Sequence, residues 1–127
     1  MPFLSPDLAV RTSDGRNVTL LEPLVYVHGD GIVTTSPAGS TSDGASTPQL
    51  SWSLGFSPFG IGWRAFVLHD FLYRNTWLPR DYCDASLLEA LLELGDPNAQ
   101  IIYDAVRLGG RFAFNADRDV LAKSEQR

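Results

Sequence analysis

The sequence predicts an α+β domain: an N-terminal antiparallel β meander of two hairpins, then a structured loop, then three helices around a buried central one. Three observations predict it. Asp14-Gly15 separates two short β-prone runs near the start, a strong hairpin signal. After residue 62 the apolar residues stop alternating and recur at helical spacing. Beyond that, Pro79 and Asp96-Pro97 supply helix starts, and Gly95 and Gly109-Gly110 supply stops.

The first hairpin pairs "LAVRT" with "NVTLL" across Ser13-Asp14-Gly15-Arg16. The second pairs "LVYVH" (24–28) with "GIVTT" (31–35) across Gly29, Asp30 and Gly31. Glu22-Pro23 breaks the chain between them, because proline has no N–H for a central ladder. Residues 36–48, "SPAGSTSDGASTP", carry no large apolar side chain. Their composition reads as a linker, but so long an insertion in a small domain is uncommon unless it has a role.

The first helix reads from about Gly62 to Asn75 and is apolar on most sides, as a buried central helix is. In the second, Cys83, Leu87, Leu91 and Leu94 form the inward stripe, while Tyr82, Ser86, Glu89 and Glu93 face water. In the third, Asp96 is the N-cap, Pro97 the first residue, and Ile101, Ile102, Ala105 and Val106 point inward. Residues 1–114 then form one domain. Residues 115–127 are a polar tail that frays, with a short helical turn near Val120 and Leu121.

Composition narrows the function classes. Of the 127 residues, 15 are acidic and 10 basic, for a net charge of −5. Such a chain offers no broad basic surface for phosphates, which disfavours general nucleic-acid binding. No apolar run is long enough to span a bilayer, and the first residues do not follow the pattern of a signal peptide. Cys83 is the single cysteine, so the fold must hold without an intrachain disulfide, as in a reducing cytosol. With one cysteine and two distant histidines, zinc lacks ligands.

Chemistry concentrates in "LHDFLYRN" (68–75). His69 and Tyr73 are four residues apart and share a helix face, while Asp70 points about 100° away. A buried imidazole needs a partner, and the best is Asp84, on the apolar side of the next helix. Two antiparallel helices joined near Asn75–Leu78 would bring His69, Tyr73 and Asp84 together. One reading is catalytic: Asp84 orients His69, and His69 activates a water for attack on an ester or amide. Asp70 would then hold a divalent cation such as calcium with nearby carbonyls, including those of "FGIG" (59–62). The other reading is structural: the three residues satisfy one another and pin two helices in register.

The "SDGAST" segment is the second candidate. Asp43 folds back on local N–H groups, or is a metal ligand or hydrogen-bond anchor facing His69 or Asp70, and Ser46 lets a ligand or another backbone come close. No G-x-S-x-G elbow surrounds Ser46, which argues against a nucleophile. Arg74 and Arg80 bind an anion or pair with Asp81 or Asp84. Arg107 and Arg111 sit near the third helix's C-terminus, where cations are favoured. His28, at a strand end, reads as a surface or capping residue.

"DGASTP", "HDFLYR", "CDASLLEAL" and "AVRLGG" together resemble an uncharacterised domain family of tailed phages, prophages and bacteria, whose pattern is D-G-A-S-x-P, then H-D-x-L-Y-R, then an A-D acid helix. The resemblance runs from about Leu8 to Gly110. Asp43, Gly44, Ala45, Ser46 and Pro48 match the first motif, His69, Asp70, Tyr73 and Arg74 the second, and Asp84 the third; Cys83 stands where alanine is usual. It implies a phage setting: synthesis in the bacterial host cytoplasm, incorporation in the virion or tail, and association with other virion proteins or with itself. More distantly, the helix pair resembles that of secretory phospholipases. By that resemblance His69 and Asp84 are the dyad, Asp70 the calcium ligand and Tyr73 a supporting hydroxyl. Those enzymes brace the pair with disulfides, which this chain cannot form. The expectation is a phage protein that is either a hydrolase of envelope esters or amides, or a non-catalytic virion or assembly protein.

Overall fold

The computed structural model describes residues 3–4, 10–11, 18–42 and 62–125. The class is α+β, as expected. Strands β1 (Val10–Arg11), β2 (Val18–Leu20), β3 (Leu24–Val27), β4 (Val33–Ser36) and β5 (Thr41–Ser42) precede four helices, α1 (Trp63–Asn75), α2 (Arg80–Glu93), α3 (Ala99–Gly109) and α4 (Arg111–Glu125).

Both hairpins form. β1 pairs antiparallel with β2, setting Val10 opposite Leu20, and β3 pairs with β4, setting Leu24 opposite Ser36. Among the described residues they belong to two sheets. β5 adds to the free edge of β2, giving a three-stranded sheet β1-β2-β5 beside the two-stranded β3-β4. β5 comes from the stretch that read as a linker. It is admitted because backbone pairing needs no large side chain, only an edge with free N–H and C=O groups.

α1 packs against α2 and α4, and α2 against α3. One core joins the sheets to the helices: Leu20, Leu24 and Tyr26 meet Leu68, Leu72, Leu87, Leu91, Ile102 and Val106. α2 stops where glycine permits a left-handed residue: Gly95 has φ +76°, and the Gly95 and Asp96 amides donate back to Leu92 O and Leu91 O. α3 begins later than expected. Asp96 Oδ1 accepts from the Asn98 amide at 2.9 Å in a turn that precedes the helix. Ile101 points outward, 51% exposed, while Ile102 and Val106 fill the core.

Among the described residues the helices number four, and the segment expected to fray is helical to Glu125. Along α4 the partly buried residues are Ala113, Phe114, Asp117, Arg118, Leu121 and Ala122, a stripe at 3–4 residue spacing. Two of its members are charged, so the stripe does not show as an apolar pattern.

The outer face expected for α2 is also corrected. Ser86 is buried because β3-β4 docks there. His28, expected at the surface, is buried between Ser86 Oγ, 3.1 Å from Nδ1, and Thr34 Oγ1, 2.6 Å from Nε2. Ser86 donates to Tyr82 O, so it accepts from His28 Nδ1–H, and Thr34 donates to Nε2. Nearby, Tyr26 Oη and the Gly29 amide both donate to Glu89 Oε1, and Tyr82 Oη to Asp30 Oδ2. Polar side chains therefore bolt the hairpin to the helix.

Candidate functional site

Asp84 is the centre. It sits in α2 with its carboxylate 0% exposed, facing α1 and α3. His69 and Tyr73 reach it from α1, as their spacing predicts. His69 Nε2 lies 2.7 Å and Tyr73 Oη 2.5 Å from the same oxygen, Oδ1. The two rings lean together, with centroids 4.1 Å apart. The other oxygen, Oδ2, takes Arg107 Nη1 at 2.7 Å and faces Arg80 Nε at 3.5 Å.

Arg107 and Arg80 exchange elements. Arg80, in the first turn of α2, donates Nη2 to Val106 O (3.0 Å) and Arg107 O (2.7 Å), the last carbonyls of α3. Arg107, in that same last turn, sends its guanidinium back to α2. Both place a cation at a helix C-terminus, where the dipole favours it. The corner after α3 must be small: a Cβ on Gly110 would lie 2.6 Å from Val106 O and 3.1 Å from Tyr73 Oη.

These contacts set the charges. Burial is the strongest influence on Asp84 and works to raise its pKa. The hydrogen bonds from His69, Tyr73 and Arg107 together outweigh it, holding the carboxyl below its ordinary value. Asp84 is thus ionised and can only accept, so His69 Nε2 is the donor in their bond. Burial, then the bond to Asp84, pushes the Tyr73 hydroxyl far above its ordinary pKa, so it stays a donor. The bond to Asp84 also raises Arg107.

Of the other expected residues, Asp43 and Ser46 lie outside the described residues, as do positions 59–61 of "FGIG". Asp70 is on α1, one residue and about 100° round the helix from His69. It is buried, with Oδ1 3.1 Å from Arg74 Nε, and Arg74 Nε in turn lies 3.8 Å from Asp117 Oδ1. Among the described residues no group of three or more His, Cys, Asp or Glu side chains gathers to hold a metal. Asp43 and the carbonyls of positions 59–61, the oxygen ligands expected beside Asp70 for a cation, lie outside the described residues. Arg74 lines a cavity of about 540 Å³ between the end of α1, the β4–β5 turn and α4. The cavity does not reach His69 or Asp84. Arg107 went unforeseen as a partner of Asp84, whereas Arg80, four residues before Asp84 on one helix, was named as one.

The fold and site define a class: a small α+β domain whose helices converge on a buried carboxylate bearing a histidine, a tyrosine and two arginines. No helix among the described residues is long and apolar enough to cross a membrane. Residues 18–106 match the model of a family described as protein of unknown function (DUF1353), and the chain belongs to that family. Comparisons with curated proteins and with solved structures return no match.

Proposed function

We propose that the chain is a hydrolase in which His69 is the general base for attack of water on an ester or amide. One observation carries this reading: Asp84 fixes the imidazole as the Nε2–H tautomer, with a 2.7 Å bond to a buried, ionised carboxylate. Nδ1 is then the basic atom, and the carboxylate stabilises the imidazolium formed when it takes a proton. In the reaction Nδ1 removes a proton from water as the water oxygen bonds to the carbonyl carbon. The tetrahedral intermediate then expels the alcohol or amine, which takes the proton back from Nδ1. Asp84 keeps its charge throughout, and Tyr73 holds the carboxylate in place. No step uses a cation. The phage resemblance supports an envelope ester or amide as substrate, and virion proteins or a second copy as partners.

A second reading is favoured by a different observation. His69 is 1% exposed, and Asp84 is surrounded by donors from three helices. In that reading the network only holds the helices of a non-catalytic virion or assembly protein.

The two separate on wild type and His69→Asn, assayed against 4-nitrophenyl esters, phospholipid vesicles and peptidoglycan sacculi, with melting curves alongside. The hydrolase reading expects turnover that falls by at least about 10²-fold in a variant that stays folded. Absence of wild-type turnover on all three, with a variant that melts much earlier, supports the structural reading. Added calcium is expected to leave the melting temperature unchanged. A calcium-dependent rise would return the cation role to Asp70.

A further inference from the structure

α4 lies wholly beyond the residues that match the family model, yet it reaches the site through Arg118. This guanidinium donates Nε to Tyr73 O at 3.0 Å, and Nη2 to Leu78 O at 2.6 Å and Leu72 O at 3.3 Å. Nη2 also lies 3.9 Å from Cys83 Sγ. One side chain thus touches the last turns of α1, the link to α2, and α2 itself. Its plane is held by rings, with Cζ 4.4 Å from the centroid of Phe114 and 5.6 Å from that of Trp77. Phe114 in turn meets the Tyr73 ring edge-on at 5.1 Å. α1 ends without a glycine cap: Thr76, which follows it, is extended. Two of its last carbonyls are taken from outside the helix ladder, Tyr73 O by Arg118 and Leu72 O by Arg118 and by Thr76 Oγ1, which donates at 2.6 Å.

We infer that Arg118 is a positioning residue: it sets the separation of α1 from α2, and through it the contact of His69 and Tyr73 with Asp84. The inference rests on the dyad reading above. Disulfides are not available to brace this helix pair, since Cys83, the single cysteine, is free and buried. A planar fork of donors can bridge several carbonyls at once, where a lysine offers one point charge. Because Arg118 holds the backbone of Tyr73 and stands on Phe114, its loss tilts Tyr73 and frees the Asp84 oxygen shared with His69.

The test is full-length chain with ¹⁵N-labelled histidine, as wild type, Arg118→Ala, Arg118→Lys and the control Tyr26→Phe, which removes a bond to Glu89 at the hairpin. Two readouts are taken without substrate: thermal melting, and the signal and solvent exchange of the His69 Nε2 proton. In wild type this proton is expected downfield and slow to exchange, as a buried N–H on a carboxylate is. Arg118→Ala is expected to shift it and speed its exchange by about tenfold or more, with Arg118→Lys moving it the same way by less. Tyr26→Phe should lower the melting temperature and leave the ring signal alone. If Arg118→Ala does not fold, Arg118→Lys is judged by the same criteria. A folded Arg118 variant with an unchanged His69 signal overturns the inference, as does an equal shift in Tyr26→Phe. A chain that hydrolyses nothing refutes the dyad's chemistry and leaves this positioning result readable.

Discussion

Replacing Asp84 by asparagine keeps the side chain's size and removes its charge. The carboxylate receives Nε2–H from His69, the Tyr73 hydroxyl and Arg107, with Arg80 close by. An asparagine has one acceptor oxygen and an NH₂ that only donates. If its oxygen stays toward His69 and Tyr73, the NH₂ faces the Arg107 guanidinium, donor against donor. If the amide flips, the NH₂ faces the two buried partners instead. Each buried hydrogen bond to a charged group contributes about 1.5–3 kcal/mol. The two from α1 are dry, but Arg107 is 36% exposed, so its pairing is discounted for solvent. The bonds share one carboxylate and do not add. Removing one partner of a buried ion pair costs about 3–5 kcal/mol, and the conservative shape of asparagine puts the expected loss near the lower end, about 3 kcal/mol. Against a typical total of about 5–15 kcal/mol, that is a large fraction. Urea unfolding of wild type and Asp84→Asn at neutral pH measures it directly, read from the midpoint at constant slope. A loss below about 1 kcal/mol would refute the reasoning, because a carboxylate at the centre of this network cannot be neutralised so cheaply.

Two further outcomes are expected. Burial holds the His28 pKa below its ordinary 6.5, with Asp30 and Glu89 pulling weakly the other way; Asp84 is held below its ordinary 3.8 by its donors, against the opposing and larger single effect of burial. Both groups take up protons more readily in the unfolded chain. Their stabilisation is therefore whole above the ordinary values and lost as pH falls, first below about 6.5 and then below about 3.8. Denaturant melts across pH 3–8 check this, and stability that rises on acidification from pH 7 to 5 would contradict it. Ser86→Ala leaves the buried His28 Nδ1–H without its acceptor and is expected to cost about 1–3 kcal/mol. An unchanged urea midpoint would show that the hairpin does not depend on that bolt.

The α1 half of the site was legible because helix geometry is local. Four residues separate His69 from Tyr73, and a carboxylate on the apolar side of the next helix is the best partner the sequence offers them. The same logic sets Arg80 one turn from Asp84. Hairpin pairing followed from turn residues, and the stop of α2 from a glycine with φ +76°. Tertiary structure alone decided the rest. Arg107 reaches Asp84 from a helix 23 residues away, and no periodicity records which way a terminal arginine bends. His28 and Ser86 looked like surface residues until a hairpin docked on α2, because two small hydroxyls and an imidazole become interior groups only when they find each other. α4 read as a fraying tail because its buried stripe includes Asp117 and Arg118. The charge that hid the helix in the sequence is what ties it to α1: Arg118 finds carbonyls that exist as a set only once α1 and α2 are packed together.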